Sequence, residues 1–94
     1  MTVQVLLPRL LAECAGGRTS MALDVPAPTT VRALLDVLAA EHPVFGRRVR
    51  DETGALRRHV NVYVDGEEVR RLSGLDTPVP ADAEVMVVQS VAGG

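Results

Sequence analysis

The sequence predicts an α+β fold, with one mixed sheet packed on one main helix, and three observations carry that prediction. Short runs such as "TVQVLL", "SMALDV", "HVNVYV" and "EVMVVQSV" alternate apolar with polar residues at the period of a strand. One longer segment, "PAPTTVRALLDVLAAEHP", instead repeats its apolar residues at i, i+3, i+4 and i+7, the period of a helix. Asp65-Gly66 sits between two short runs and is a strong hairpin signal, because both positions of the favoured two-residue turn need positive φ. At 94 residues the chain has room for one domain, residues 1–94.

Taken in order, Thr2 to Leu7 forms the first strand and Pro8 ends it. "RLLAE" makes a short helical turn, and Gly16-Gly17 turns the chain toward the second strand. There Met21, Leu23 and Val25 alternate with Ser20, Ala22 and Asp24, and the two strands pair as an antiparallel hairpin. The helix starts from an N-cap at Thr29 or Thr30 and stops at Pro43. Val31, Leu34, Leu35 and Leu38 are its buried stripe, which only the sheet can cover. "VFGRRVRDETGALRR" reads as a polar, turn-rich loop anchored by Phe45 and Val49. Next, Val60, Val62 and Val64 face inward and Asn61 and Tyr63 outward. After the Asp65-Gly66 turn, "EEVRRL" returns as a charged edge strand. "SGLDTPVPADAEV" is a connection, and Val85 and Val87 set the core face of the last strand. The order β-β-α-β-β-β is that of a β-grasp, which hosts many functions.

Composition narrows the function. Hydrophobic residues make up 47% of the chain, which argues for a folded globule, yet Phe45 and Tyr63 are the only aromatics. The core is therefore built from Val, Leu and Ala. No apolar run approaches the length of a membrane span, and no basic leader opens the chain, so a cytoplasmic protein is expected. The net charge is −2, which gives no global pull on nucleic acid. All ten cations are arginine, so no side-chain amine exists to be acylated or to form a Schiff base.

Chemistry-bearing side chains are sparse. Cys14 is the only cysteine, which excludes an intramolecular disulfide, and "LLAECAGG" offers no neighbouring His or cation cluster to activate it. Two histidines and one cysteine lack metal-site spacing, so no metal is implied. Arg47, Arg48, Arg50 and Arg57 invite a phosphate-binding reading. Asp51 and Glu52 lie among them, and a self-paired, solvated loop is the preferred one.

The residues from His59 onward carry a family resemblance. "VNVYV", "DGEEVR", "GLDTPV" and the final "VAGG" resemble the ubiquitin-like sulfur-carrier proteins of the MoaD and ThiS type, closest to the CysO-like branch that serves cysteine biosynthesis. "PTTVRALLDVLAAEHP" falls at the family's helix position. Two stretches depart from the family: "VVQSV" lacks the proline often found before the tail, and "PADAEV" lacks the glycine of the usual turn, which leaves the branch open.

The resemblance implies that the chain is a carrier and not an enzyme. The Gly94 carboxylate would be adenylated with ATP by an E1-like adenylyltransferase/sulfurtransferase, converted to a thiocarboxylate, and its sulfur passed to a sulfur-accepting synthase. No cofactor would be bound; ATP is used by the partner. Residues 89–94 would be a flexible tail. Gly93 and Gly94 would let the backbone enter a narrow channel, with Val91 and Ala92 the last side chains read. The outward face of the sheet, through Tyr63, Met86 and Val88 and rimmed by Arg70 or Arg71, would dock the partners. The free protein would be a monomer with neither nucleic acid nor membrane as partner. Rival readings are the small subunit of molybdopterin synthase, a carrier for a thiazole or a sulfur-bearing secondary metabolite, a ubiquitin-like protein modifier that forms isopeptides through Gly94, and a binding-only module that would not need its tail.

Overall fold

Five strands join in one sheet, and three of them offer a valine-rich face to the same core. In the computed structural model, which describes residues 1–90, the five are β1 (Thr2–Leu6), β2 (Ser20–Asp24), β4 (Val60–Val64), β5 (Glu67–Glu68) and β7 (Glu84–Gln89). They run in the order β2-β1-β7-β4-β5. The central pair, β1 and β7, is parallel, with Val5 opposite Val85, and the other neighbours are antiparallel. Val3, Val5, Val60, Val62, Val85 and Val87 are all buried on one face. The alternation read from sequence is therefore the alternation observed, and the mixed sheet is that of a β-grasp.

The helix α2 (Val31–Glu41) covers that face with Val31, Leu34, Leu35 and Leu38, all buried. Of the two candidate caps, Thr30 is the one used: its hydroxyl accepts from the Ala33 N–H at 3.2 Å. Ahead of it, α1 (Arg9–Ala12) buries Leu11 and Ala12 in the same core. Gly16 and Gly17 follow with φ of +76° and +81°, a conformation that glycine adopts without a Cβ penalty.

Three expectations need correction. The segment after Pro43 is not a loop throughout, since α3 spans Pro43–Val49. Pro43 ends one helix and opens the next, because a proline is tolerated where the N–H would be unbonded anyway. Phe45 and Val49, the expected anchors, stand four apart on α3 and are both buried. The edge strand is also shorter than read. β5 holds only Glu67–Glu68, after which Val69–Arg71 tightens into a 3-10 turn that buries Val69. Finally, the connection before the last strand contains β6 (Pro78–Val79), which pairs with β3 (Thr29–Thr30) as a separate two-stranded ladder. That ladder ties the start of α2 to the end of the molecule away from Gln89. Among the described residues no helix is long and apolar enough to cross a membrane.

Candidate functional site

The site begins where β7 ends. Gln89 still pairs with Val60, and the Ser90 N–H donates to the His59 carbonyl at 2.8 Å. Residues 89 and 90, expected to open the tail, are thus held at the sheet's end, and this corrects the tail's start. The candidate residues Val91, Ala92, Gly93 and Gly94 lie outside the described residues.

The outward face of the sheet assembles as the alternation implies. Tyr63 lies opposite Met86, Asn61 opposite Val88, and Met86 also opposite Leu6 across the parallel pair. Tyr63, Met86, Val88 and Leu6 are each half-buried, so they form a low apolar strip in the middle of the sheet. Leu6 was not among the expected members. Its signal was in the sequence, since it continues the outward positions Thr2 and Gln4 past the inward Val3 and Val5. Leu72, 46% exposed, lies with Tyr63 and Arg71 around a shallow hollow at the hairpin end.

Of the two candidate rim cations, Arg71 borders that hollow. Arg70 touches the outward face only through the Asn61 Oδ1, to which it donates, and its guanidinium is committed to the backbone. It donates to the Val60 carbonyl at 2.6 Å and the Arg57 carbonyl at 2.9 Å. Such charge-assisted bonds to carbonyls hold the entry to β4 in place. Arg70 is therefore better described as a positioning residue than as a free docking contact.

The loop cations sort differently from one another. Arg50 pairs with Asp36 at 2.7 Å, joining α3 to α2, and does not use Asp51 or Glu52. Asp51 instead organises its own turn: its carboxylate accepts from the Thr53 hydroxyl at 2.5 Å, the Thr53 N–H at 2.9 Å and the Ala55 N–H at 3.2 Å. These donors, the Thr53 hydroxyl foremost, hold the Asp51 pKa below its ordinary 3.8. Arg57 donates through Nε to the Arg47 carbonyl at 2.8 Å. The half-buried Cys14 packs against the core, with Sγ directed at the Leu10 carbonyl at 4.0 Å. Among the described residues no group of His, Cys, Asp and Glu could hold a metal ion.

The described residues thus offer a half-buried apolar strip on the outward face and a hydrogen-bonded end to the last strand. Comparison with known proteins gives the same kind of molecule. The model of the ThiS family matches residues 5–94. The sulfur carrier protein CysO of Mycobacterium tuberculosis is 33% identical over 96 residues, covering all of both chains. Its crystal structure aligns with a TM-score of 0.82 over 95% of this chain and 99% of that one. Small archaeal modifier protein 1 of Haloferax volcanii is 37% identical over 84 residues, 89% of this chain and 91% of the relative, and its crystal structure aligns with a TM-score of 0.83 over both full chains. A crystal structure of the Amycolatopsis orientalis BexX/CysO complex aligns at a TM-score of 0.78 and 32% identity, over 98% of this chain and 99% of that chain.

Proposed function

The chain belongs to the ThiS family, whose members are small ubiquitin-like sulfur carriers and modifiers, and on that premise we propose that it carries sulfur as a thiocarboxylate on Gly94. The observation that carries this reading is the end-to-end match with CysO, which runs through the tail residues. In the first step a carboxylate oxygen of Gly94 attacks the α-phosphorus of ATP within an E1-like enzyme, and pyrophosphate leaves. The acyl-adenylate then has a good leaving group. Sulfide displaces AMP and leaves the thiocarboxylate, and once its sulfur has passed to an acceptor on a second enzyme, water restores the Gly94 carboxylate.

The chain's own residues serve this chemistry by presentation. Gly93 and Gly94, without Cβ atoms, suit a channel narrow enough to exclude water from the adenylate. Val91 and Ala92 are the side chains such a channel reads, by extended-backbone hydrogen bonding. The sheet's end supplies a fixed origin, since Ser90 is bonded to His59 and Gln89 to the β4 ladder. The strip of Leu6, Tyr63, Met86 and Val88 supplies apolar area for docking. The chain's role is that of a protein co-substrate: its partners supply the acid, base and nucleophile. The acceptor belongs to cysteine synthesis or to a sulfur-bearing metabolite; molybdopterin synthesis uses the same tail chemistry. A cytoplasmic location fits this work.

A pyrophosphate-release assay tests the adenylation step. With an E1-like enzyme and ATP, release is expected to depend on the intact chain and to vanish for a chain lacking Gly93 and Gly94. Equal release from the shortened chain overturns the reading.

The similarity to small archaeal modifier protein 1 favours a second reading, in which the same adenylate is captured by a lysine amine of another protein. Isopeptide adducts on cell proteins that persist in thiol would establish it. This chain, having no lysine, cannot be extended through its own side chains.

A further inference from the structure

The inward side of the tail base carries charges that neither the core nor the docking strip uses. Gln89 shares the parity of Val85 and Val87, so its side chain lies on the helix side of the sheet. There it borders a shallow hollow with Arg47, Arg48, Arg57 and His59, and no acidic side chain lines it. Arg47 and Arg48 are in the last turn of α3 and are exposed, as are the neighbouring Arg58 and His59. The ion pairs among the described residues are Met1–Asp24, Arg32–Asp76 and Arg50–Asp36, and none of them neutralises this cluster. Arg47 and Arg57 also border a second hollow with Asp36, Asp51 and Glu52, and Arg57 adds to the Thr53 hydrogen bonds that lower the Asp51 pKa. Positive charge therefore prevails on the side that faces Gln89, Arg48 and His59, beside the point where the tail leaves. Beside the first hollow the Oε1 of Gln89 is buried and has no hydrogen-bond partner among the described residues.

Reach decides what must face this cluster. The four residues from Val91 to Gly94 span at most about 14 Å when fully extended. An enzyme that takes Gly94 into its reactive centre must bring the mouth of its channel down to Ser90. Ser90 is bonded to His59, so the rim of that mouth falls across the arginine hollow on one side and the apolar strip on the other.

We propose that the exposed Arg47 and Arg48, braced by Arg57 through its bond to the Arg47 carbonyl, form a basic collar at the tail base that docks on an acidic rim around the tail channel of the activating enzyme. The inference rests on the carrier reading and adds the chemistry of the partner's surface to it. A collar of exposed charges orients the encounter and sets its rate and salt dependence. The outward strip supplies apolar area, and the collar supplies orientation, so that the tail enters between two unlike walls.

The test uses an E1-like enzyme that activates the wild-type chain, with pyrophosphate release followed at several salt concentrations. For R47E/R48E the KM for the carrier is expected to rise roughly tenfold at low ionic strength, with kcat unchanged and the difference shrinking several-fold at about 0.5 M salt. R47K/R48K, which keeps the charges, is expected to stay within about twofold of wild type. Both arginines are exposed, and an unchanged Tm for each variant shows that the fold is intact. An unaltered KM and salt dependence in R47E/R48E, with wild type active, overturns the collar alone. Failure of every E1-like enzyme to activate the wild-type chain overturns the carrier reading, and the collar falls with it.

Discussion

Gly46 shows how one missing Cβ sets the spacing of two helices. A Cβ built at this position would lie 2.7 Å from the Ala39 Cβ and 3.2 Å from its Cα, so α2 and α3 touch there. Gly46→Ala gains roughly 1 kcal/mol of helix propensity but overpacks a site that cannot yield, at a cost of about 1–3 kcal/mol. The overpacking wins, and urea denaturation is expected to show a net loss of about 1 kcal/mol, which A39G partly restores when combined with G46A. Simple additivity of the two changes would show that the contact is not limiting. Asp51 gives a residue-scale prediction of another kind. Its folded-state pKa is held below 3.8 by donors from Thr53 and Ala55. A depressed carboxylate contributes stability that is present above the unfolded-state pKa and is lost as pH falls through the folded one. Thr53→Val removes the foremost donor, so the Asp51 titration followed by carboxyl carbon NMR should move up toward 3.8; an unchanged midpoint would assign the shift to the backbone donors. Some residue roles could be read from the sequence. The inward valines follow from period, and position narrowed the cap to Thr29 or Thr30, of which the structure uses Thr30. Arg70 could not be read, because an exposed guanidinium that reaches back to two carbonyls leaves no local pattern.

At the scale of elements, α3 has most to teach. Its seven residues bury only one i, i+4 pair, Gly46 signals a turn, and Pro43 signals an end, so the local signals pointed to a loop. What makes it a helix is tertiary. Phe45 and Val49 close the core beside α2, and the Arg50–Asp36 pair fastens its end. Phe45→Ala is expected to cost about 3–5 kcal/mol, the range for deleting a fully buried aromatic ring, against a domain total of about 5–15 kcal/mol. Thermal unfolding should show this as a large fall in Tm, and a shift of only a few degrees would mean that α3 is peripheral to the core. The β3–β6 ladder was equally illegible, because two residues on each side carry no periodicity. By contrast the four longer strands and α2 were legible, each being long enough to repeat its pattern. The Asp65-Gly66 hairpin was too, with φ of +49° and +86° as its turn type demands.

For the whole molecule, the arrangement places the sheet's end, the apolar strip and the arginine collar around one exit point. The α2 helix and the sheet hold that exit rigid through the core, and the 3-10 turn at Val69–Arg71 braces the start of β4 through Arg70. The strip was legible because strand alternation assigns faces; the arginines stood out in the sequence as a cluster, but their place beside Gln89 did not, because α3, the loop after it and β7 meet only once the chain has folded. The central claim is that Gly94 bears the sulfur, and intact-mass spectrometry tests it directly. After incubation with an E1-like enzyme, ATP and sulfide, the chain is predicted to gain the mass difference between one sulfur and one oxygen, localised to its C-terminal peptide. An unchanged mass, under conditions in which the same enzyme converts a known CysO, would contradict the account.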